Sequence, residues 1–120
     1  MTQKTLSIDL KATLFALNGN RQLLEELIQM FVEDAPKLIH ELEEALENEN
    51  RDEALRSVHS LRGLVSTFYC KSIMEFAGRL EEHLIRGDFS SLRNGGADQL
   101  KNSIHELVCE LDKCGLPSNE

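Results

Sequence analysis

The sequence is poor in the residues that interrupt helices or staple small folds. It has 120 residues with no tryptophan, two prolines, three cysteines, one tyrosine and five phenylalanines. The cysteines are odd in number and lack CxxC spacing, so we expect reduced thiols rather than a disulfide framework. The four histidines show no metal-ligand spacing such as HExxH, and the sequence therefore predicts no metal site.

Long apolar runs are also missing, which excludes a transmembrane helix. The first residues, Met1–Lys4, are not followed by the apolar core of a signal peptide. Apolar residues make up 41% of the chain and charged residues 28%, as in soluble proteins. A chain of this length forms one domain with a single core, for which we expect a cytoplasmic location.

Positive charge is scarce and unevenly placed. The formal net charge is −8, which argues against a nucleic-acid partner because such proteins carry a basic stripe. Residues 51–71 nevertheless carry +2, and the remainder of the chain carries −10. The single basic segment surrounds His59, which indicates that an anionic group is handled there.

What the sequence does contain is helical periodicity, with leucine, glutamate, alanine and arginine abundant. There is no strand-like alternation and no internal repeat. Apolar residues recur at helical spacing over five stretches: 8–17, 20–48, 52–68, 72 to about 86, and 97 to about 114.

Local signals predict where these helices begin and end. Asn20 is expected to cap the second helix, and Ser72–Glu75 matches a capping box for the fourth. Pro36 interrupts the second stretch and leaves two alternatives: one long kinked helix, or two abutting helices with Asp34 capping the second. Gly87 predicts the end of the fourth helix, and Asn94–Gly96 predicts a break before the fifth.

Short connections between long helices favour antiparallel neighbours. We therefore predict an all-α, antiparallel up-down four-helix bundle with a short extra N-terminal helix. The expected organisation is a flexible N-terminus over 1–7, the bundle over 8–114 and a flexible C-terminus over 115–120.

The third predicted helix carries an unusual surface patch of His59, Arg62 and Gly63. These residues are neighbours because positions i, i+3 and i+4 share one helix face. Gly63 needs a reason, since glycine inside a helix costs roughly 1 kcal/mol relative to alanine. His59 and Gly63 fall roughly 140° and 180° from the centre of the core stripe, and Leu64 is expected to be an exposed apolar residue beside them. That stripe consists of Ala54, Val58, Leu61, Val65 and Phe68.

The residues of the patch suit phosphoryl chemistry. An imidazole nitrogen is a good nucleophile near neutral pH and can accept a phosphoryl group from an acyl phosphate. An arginine one turn away can offset the phosphate charge by charge-assisted hydrogen bonds. A glycine beside them leaves room for the partner that brings the acyl phosphate.

The run Ala54–Gly63 resembles the signature of histidine-containing phosphotransfer (HPt) domains. That signature has a histidine, an apolar residue two positions on, lysine or arginine three on and glycine four on. Leu17–Asn20 and Leu23–Pro36 are similar to the first half of the family, and Leu80–Glu81 is similar to the usual end of its fourth helix. The resemblance covers about residues 10–112.

This resemblance implies a phosphorelay intermediate without kinase activity of its own. His59 would be phosphorylated on the ring nitrogen remote from the backbone, Arg62 would stabilise the phosphoryl group, and Gly63 would clear room for a receiver domain. The partners would be receivers of response regulators or hybrid sensor kinases, which would supply the aspartate and Mg²⁺. The protein would be a monomer without a membrane partner. The absence of a P-loop agrees with this. Further partner contacts are expected at Leu55, Arg56, Ser60, Leu64 and Ser66.

Two departures from the family pattern bear on the partner. Leu64 and Val65 stand where small polar residues are common, and Tyr69–Cys70 stand where glycine and alanine are common. Leu64 would alter the docking surface, which leaves open a helical adaptor or decoy that binds a receiver or kinase without phosphotransfer. A third alternative is the phosphoacceptor domain of a larger kinase.

Other polar residues are interpreted as surface or packing residues. His83 and His105 lie in glutamate-rich stretches without a neighbouring glycine gap. No paired carboxylates suggest a catalytic pocket. A solvated helix face accounts for Glu41, Glu43, Glu44, Glu47 and Glu49.

Overall fold

A computed structural model describes residues 10–115, and within that range the chain is helical with no strand. The predicted all-α fold is confirmed. The expected flexible segments at 1–7 and 115–120, and the predicted helix start at Ile8, lie outside the described residues except for Gly115. The helices are α1 (Leu10–Ala16), α2 (Arg21–Glu47), α3 (Arg51–Ser66), α4 (Lys71–Ile85) and α5 (Ala97–Gly115).

Helices α2 to α5 form a four-helix bundle in which each packs against two neighbours. Helix α3 lies between α2 and α4, and α5 closes the bundle against the same two helices, so α3 and α5 are diagonally opposite. Helix α1 packs on α2, and the Thr13 hydroxyl donates a 2.6 Å hydrogen bond to the Thr67 carbonyl beyond α3. The predicted α3 stripe lies in the core, with Ala54, Val58, Leu61, Val65 and Phe68 at most 1% exposed.

Asparagine side chains begin both α2 and α3. The Asn20 carboxamide oxygen accepts a 3.0 Å hydrogen bond from the Leu23 amide, which confirms the predicted cap. Asn50 does the same for α3, accepting from the Glu53 amide at 3.1 Å. Each cap satisfies an amide that the first turn of a helix leaves without a partner.

Helix α2 continues through Pro36 as one element. The alternative of two abutting helices is therefore wrong, and Asp34 does not cap a second one. A proline inside a helix removes one backbone hydrogen bond and its ring crowds the carbonyl four residues earlier, but buried residues at helical spacing on both sides of Pro36 hold α2 against the core. These are Phe31, Ala35, Ile39 and Leu42.

The start of α4 differs from the prediction, and its end agrees. The capping box at Ser72–Glu75 is wrong because α4 begins at Lys71, with Cys70 in the cap position and no side-chain hydrogen bond to the first turn. Cys70 is fully buried, and the helix begins directly after it, before Ser72. At the other end Gly87 has a φ of +80°, the left-handed conformation that ends many helices.

A glycine pair breaks the helical path before α5, as predicted. The chain is helical from Ser90, makes a wide turn over Leu92–Gly96 and continues directly into α5. Gly95 has a φ of +117°, and a Cβ atom on Gly96 would lie 2.6 Å from the Ser91 carbonyl oxygen. Arg93 fastens this turn to the end of α2 by donating to the Leu46 carbonyl at 2.8 Å.

Candidate functional site

His59 lies on the outer face of α3, opposite the core stripe. Its side chain is 73% exposed, whereas Val58 and Leu61 on the inner face are completely buried. The helical periodicity of the sequence therefore placed this imidazole correctly on the solvent side.

A carboxylate from α4 joins His59 to Arg62. Glu81 Oε2 lies 2.6 Å from His59 Nδ1, and Glu81 Oε1 accepts a hydrogen bond from the Arg62 guanidinium. The Glu81 side chain is only 9% exposed. A buried carboxylate is costly unless it is paired and hydrogen-bonded, and these two contacts use both of its oxygens.

This arrangement fixes which ring nitrogen of His59 carries the proton. A carboxylate in an ion pair with arginine can only accept, so the proton of the neutral imidazole lies on Nδ1. Nε2 then keeps its lone pair, and the described part of the chain gives it no hydrogen-bond partner. The exposed imidazole is therefore held in one orientation by Glu81 on its inner side.

Two glycines adjoin this group of polar side chains. A Cβ atom on Gly63 would meet nothing within 4 Å, whereas one on Gly78 of α4 would lie 3.5 Å from the Arg62 guanidinium. Gly78 thus leaves space in which Arg62 lies. No packing contact accounts for glycine at position 63, so the cost of glycine inside α3 is not offset within the described structure.

The residues predicted to contact a partner fall on two sides of His59. Ser60, Gly63 and Leu64 face α2 and line a groove of about 480 Å³. Leu55 and Ser66 lie seven residues before and four residues after Arg62, and thus on the α4 side of α3. The α2 wall of the groove consists of Asp34, Lys37, Leu38 and Glu41.

Two of these residues have local contacts that the sequence did not indicate. Arg56 is exposed and pairs with Glu53 one turn earlier at 3.2 Å. The Ser66 hydroxyl donates to the Gly63 carbonyl at 2.7 Å. Both side chains are therefore partly engaged within α3 itself.

The expectation that Leu64 is an exposed apolar residue is wrong. Leu64 is half-buried and packs against the core cluster, because it lies at the edge of the stripe where α2 shields it. Only its outer part lines the groove.

Glu81 is the residue that sequence reasoning missed as part of the site. A signal was present, since Glu81 follows Ala77 by four residues and precedes Leu84 by three, which places a carboxylate at the edge of a buried face. Such a residue requires a partner. Periodicity could not say that this partner would be His59 together with Arg62.

Among residues 10–111, whose side chains the structure describes, there is no group of three or more histidine, cysteine, aspartate or glutamate side chains that could hold a metal ion. No helix in the same range is long and apolar enough to cross a membrane.

Fold and site together define an all-helical protein with an exposed histidine held by a buried glutamate, which also pairs with an arginine. The family model described as the Hpt domain matches residues 26–108, most of the bundle including His59 and Glu81. The chain belongs to the Hpt domain family, whose members are phosphocarrier modules of two-component signalling rather than kinases and generally interact with receiver domains. No curated protein and no solved structure gives a match.

Proposed function

We propose that this protein relays phosphoryl groups between the aspartates of receiver domains, with His59 as the phosphoacceptor. The observation that carries the proposal is the 2.6 Å contact between His59 Nδ1 and Glu81, which in the neutral imidazole keeps the proton on Nδ1 and the lone pair on Nε2 of an exposed side chain. A nucleophile held by a second polar group is the usual arrangement in covalent catalysis.

The transfer step needs no nucleotide. The Nε2 lone pair attacks the phosphorus of an aspartyl phosphate on the receiver, the N–P bond forms, and the bond from phosphorus to the aspartate oxygen breaks. The aspartate leaves as a carboxylate, and the proton on His59 Nδ1 stays in its hydrogen bond to Glu81. Charge that develops on the ring is stabilised by this carboxylate, and the reverse step passes the phosphoryl group to another receiver.

Arg62 and Gly63 support this step in different ways. The Arg62 guanidinium is held by Glu81 but remains 43% exposed, so its planar set of donors can reach the phosphoryl oxygens while the ion pair persists. Gly63 leaves the surface beside the imidazole bare, and the receiver can approach closely. The Mg²⁺ that the reaction requires would be supplied by the receiver's own carboxylates.

The proposal is tested with a receiver domain carrying a labelled aspartyl phosphate. We expect acid-labile, alkali-stable label on the wild type and none on His59→Gln. His83→Gln is the matched control, since His83 also contacts a carboxylate, and it should label like the wild type. Equal labelling of His59→Gln and wild type would contradict the proposal, and a stable complex without any label would favour an adaptor that binds without transfer.

A further inference from the structure

Helix α4 has a glycine in its interior that its backbone does not require. Gly78 is the eighth residue of α4 and is half-buried. Its φ is not positive, in contrast to those of Gly19, Gly87 and Gly95, so neither a turn nor a left-handed conformation explains it. Glycine is among the poorest residues inside a helix. The reason for glycine must therefore lie in what surrounds position 78.

The space beside Gly78 is occupied by Arg62 of α3. A Cβ atom on Gly78 would lie 3.5 Å from the Arg62 guanidinium nitrogen Nη1, an ordinary contact distance for one methyl group. The described residues place no backbone atom of a neighbouring helix within 4 Å of it, so close packing of two helices does not explain the glycine. A longer side chain would compete with the guanidinium for the same space.

Gly78 differs in this respect from the glycine that follows Arg62 on α3. A Cβ atom on Gly63 would meet nothing within 4 Å, and Gly63 is exposed. Under the proposed function Gly63 leaves room for a partner. Gly78 instead leaves room for a side chain of the protein itself.

The same nitrogen of Arg62 connects Gly78 with Glu81. Nη1 donates to Glu81 Oε1, and Glu81 follows Gly78 by three residues, so both lie on one face of α4. Arg62 therefore lies across this face, with its guanidinium beside the glycine and against the carboxylate. The Arg62 side chain is 43% exposed, whereas that of Glu81 is 9% exposed. The ion pair thus brings a cation from the surface to a buried carboxylate.

Glu81 needs this cation to stay ionised. A buried carboxylate without a cation is strongly disfavoured and takes up a proton instead. A protonated Glu81 would donate to His59 Nδ1 across their 2.6 Å contact, rather than accept from it. The proton of the neutral imidazole would then lie on Nε2, the nitrogen that the proposed transfer step uses as its nucleophile.

We propose that Gly78 is a positioning residue for phosphoryl transfer. It leaves the space in which Arg62 reaches Glu81, and through this ion pair it keeps the proton of His59 on Nδ1. This inference rests on the proposed function. It adds a residue that acts through Arg62 and Glu81 rather than by contact with the phosphoryl group, and it gives Arg62 a second task.

A series of side chains of increasing size at position 78 tests this inference. Gly78→Ala adds one methyl group at contact distance and should behave like the wild type. Gly78→Leu adds a side chain that displaces the guanidinium. Gly78→Val, with two γ carbons on the Cβ atom that faces Arg62, replaces it if leucine prevents folding. Each substitution is also combined with Arg62→Ala, in which the guanidinium is absent.

The first measurement is the tautomer of the neutral His59 ring, since nitrogen NMR distinguishes a protonated Nδ1 from a protonated Nε2. We expect the proton on Nδ1 in the wild type and in Gly78→Ala, and mostly on Nε2 in Gly78→Leu and in Arg62→Ala. Gly63→Leu is the matched control. Its side chain extends into open space and should leave the proton on Nδ1.

The second measurement is the rate at which His59 is phosphorylated in a single turnover. The donors are a receiver with a labelled aspartyl phosphate and phosphoramidate, a small phosphoryl donor that needs no docking surface. Gly78→Leu should slow both reactions about tenfold, because complete loss of proton positioning costs about 100-fold or more. In the Arg62→Ala background it should change neither rate by more than about twofold, since residues that act as a unit are not additive.

Three results would overturn the inference. If Gly78→Leu keeps the proton on Nδ1, the glycine does not act through Glu81. If Gly78→Leu slows the reactions equally with and without Arg62, it acts through the packing of α4. Unchanged rates for both Gly78→Leu and Gly78→Val would remove the role of Gly78. Absence of label on wild-type His59 from either donor would instead overturn the proposed function itself.

Discussion

Two histidines of this bundle each contact a carboxylate through Nδ1. The two contacts differ in where the carboxylate lies in the chain, how deeply it is buried and what else it binds. His59 meets Glu81 of another helix at 2.6 Å, and Glu81 is buried and also bound to Arg62. His83 meets Asp88 five residues further along the chain at 3.3 Å. The first pair connects α3 with α4, whereas the second connects the end of α4 with the loop that follows it.

Asp88 is engaged in local structure. Its Oδ1 accepts from the Ser90 amide at 2.9 Å and from the Ser90 hydroxyl at 2.6 Å. These hydrogen bonds, with a smaller contribution from His83, hold the pKa of Asp88 below its ordinary value. The comparison teaches that a histidine–carboxylate pair does not by itself define a site. A buried carboxylate held by a cation and an unobstructed approach distinguish His59.

The largest expected effect on the transfer rate separates the two pairs when each carboxylate is changed to its amide. Glu81→Gln should slow phosphoryl transfer from a receiver about 100-fold, because an amide can donate to Nδ1 and no longer holds the proton there. Asp88→Asn should leave transfer unchanged. Single-turnover transfer rates measure both, and the pH dependence of the rate separates loss of the proton position from a general loss of structure.

Equal rates for Glu81→Gln and Asp88→Asn would show that the two pairs do not differ in function. Circular dichroism of both variants is the control for folding, since Glu81→Gln leaves a buried amide beside Arg62.

The second expected effect concerns the unobstructed approach to His59. Gly63→Gln should slow transfer from a receiver about tenfold, because the new side chain occupies the space where the partner approaches. Loading by phosphoramidate should change little, since a small donor needs no such space. Thermal unfolding should show a stability equal to wild type or higher by about 0.5–1 kcal/mol, because glycine is poor inside a helix.

Gly96→Ala is the matched control for that measurement. Its Cβ atom would lie 2.6 Å from the Ser91 carbonyl oxygen, so it should lower stability without a specific effect on transfer. If Gly63→Gln transfers at the wild-type rate, Gly63 does not serve to admit a partner.

The smallest expected effect is confined to stability and concerns Asp88. A carboxyl whose pKa is lower in the folded protein stabilises the fold above its ordinary pKa of about 3.9, and this contribution is lost as the pH falls through the folded value. Asp88→Asn should therefore be slightly less stable than wild type at pH 7. The difference should shrink below about pH 4.

Urea unfolding of both proteins at pH 7 and pH 3 measures this difference. A difference that grows as the pH falls would reverse the assigned sign, and the Ser90 hydrogen bonds would then not account for the pKa of Asp88.

Much of the fold could be predicted from the sequence because it depends on local patterns. Apolar spacing predicted that Val58 and Leu61 lie in the core, and the side-chain type of Asn20 predicted that it caps α2. The predicted box at Ser72 was wrong because burial of Cys70 decides where α4 begins. The abutting-helix alternative at Pro36 was wrong because packing on both sides outweighs one missing hydrogen bond.

The candidate site divides in the same way. The sequence by itself determined that His59 faces outward with Arg62 and Gly63 beside it, because one helix period fixes the direction of each side chain. Only the tertiary structure decided that Glu81, 22 residues away, meets both His59 and Arg62, that α2 shields Leu64, and that Arg62 lies beside Gly78. These facts depend on how neighbouring helices are rotated and aligned against each other, which the period of a single helix does not contain.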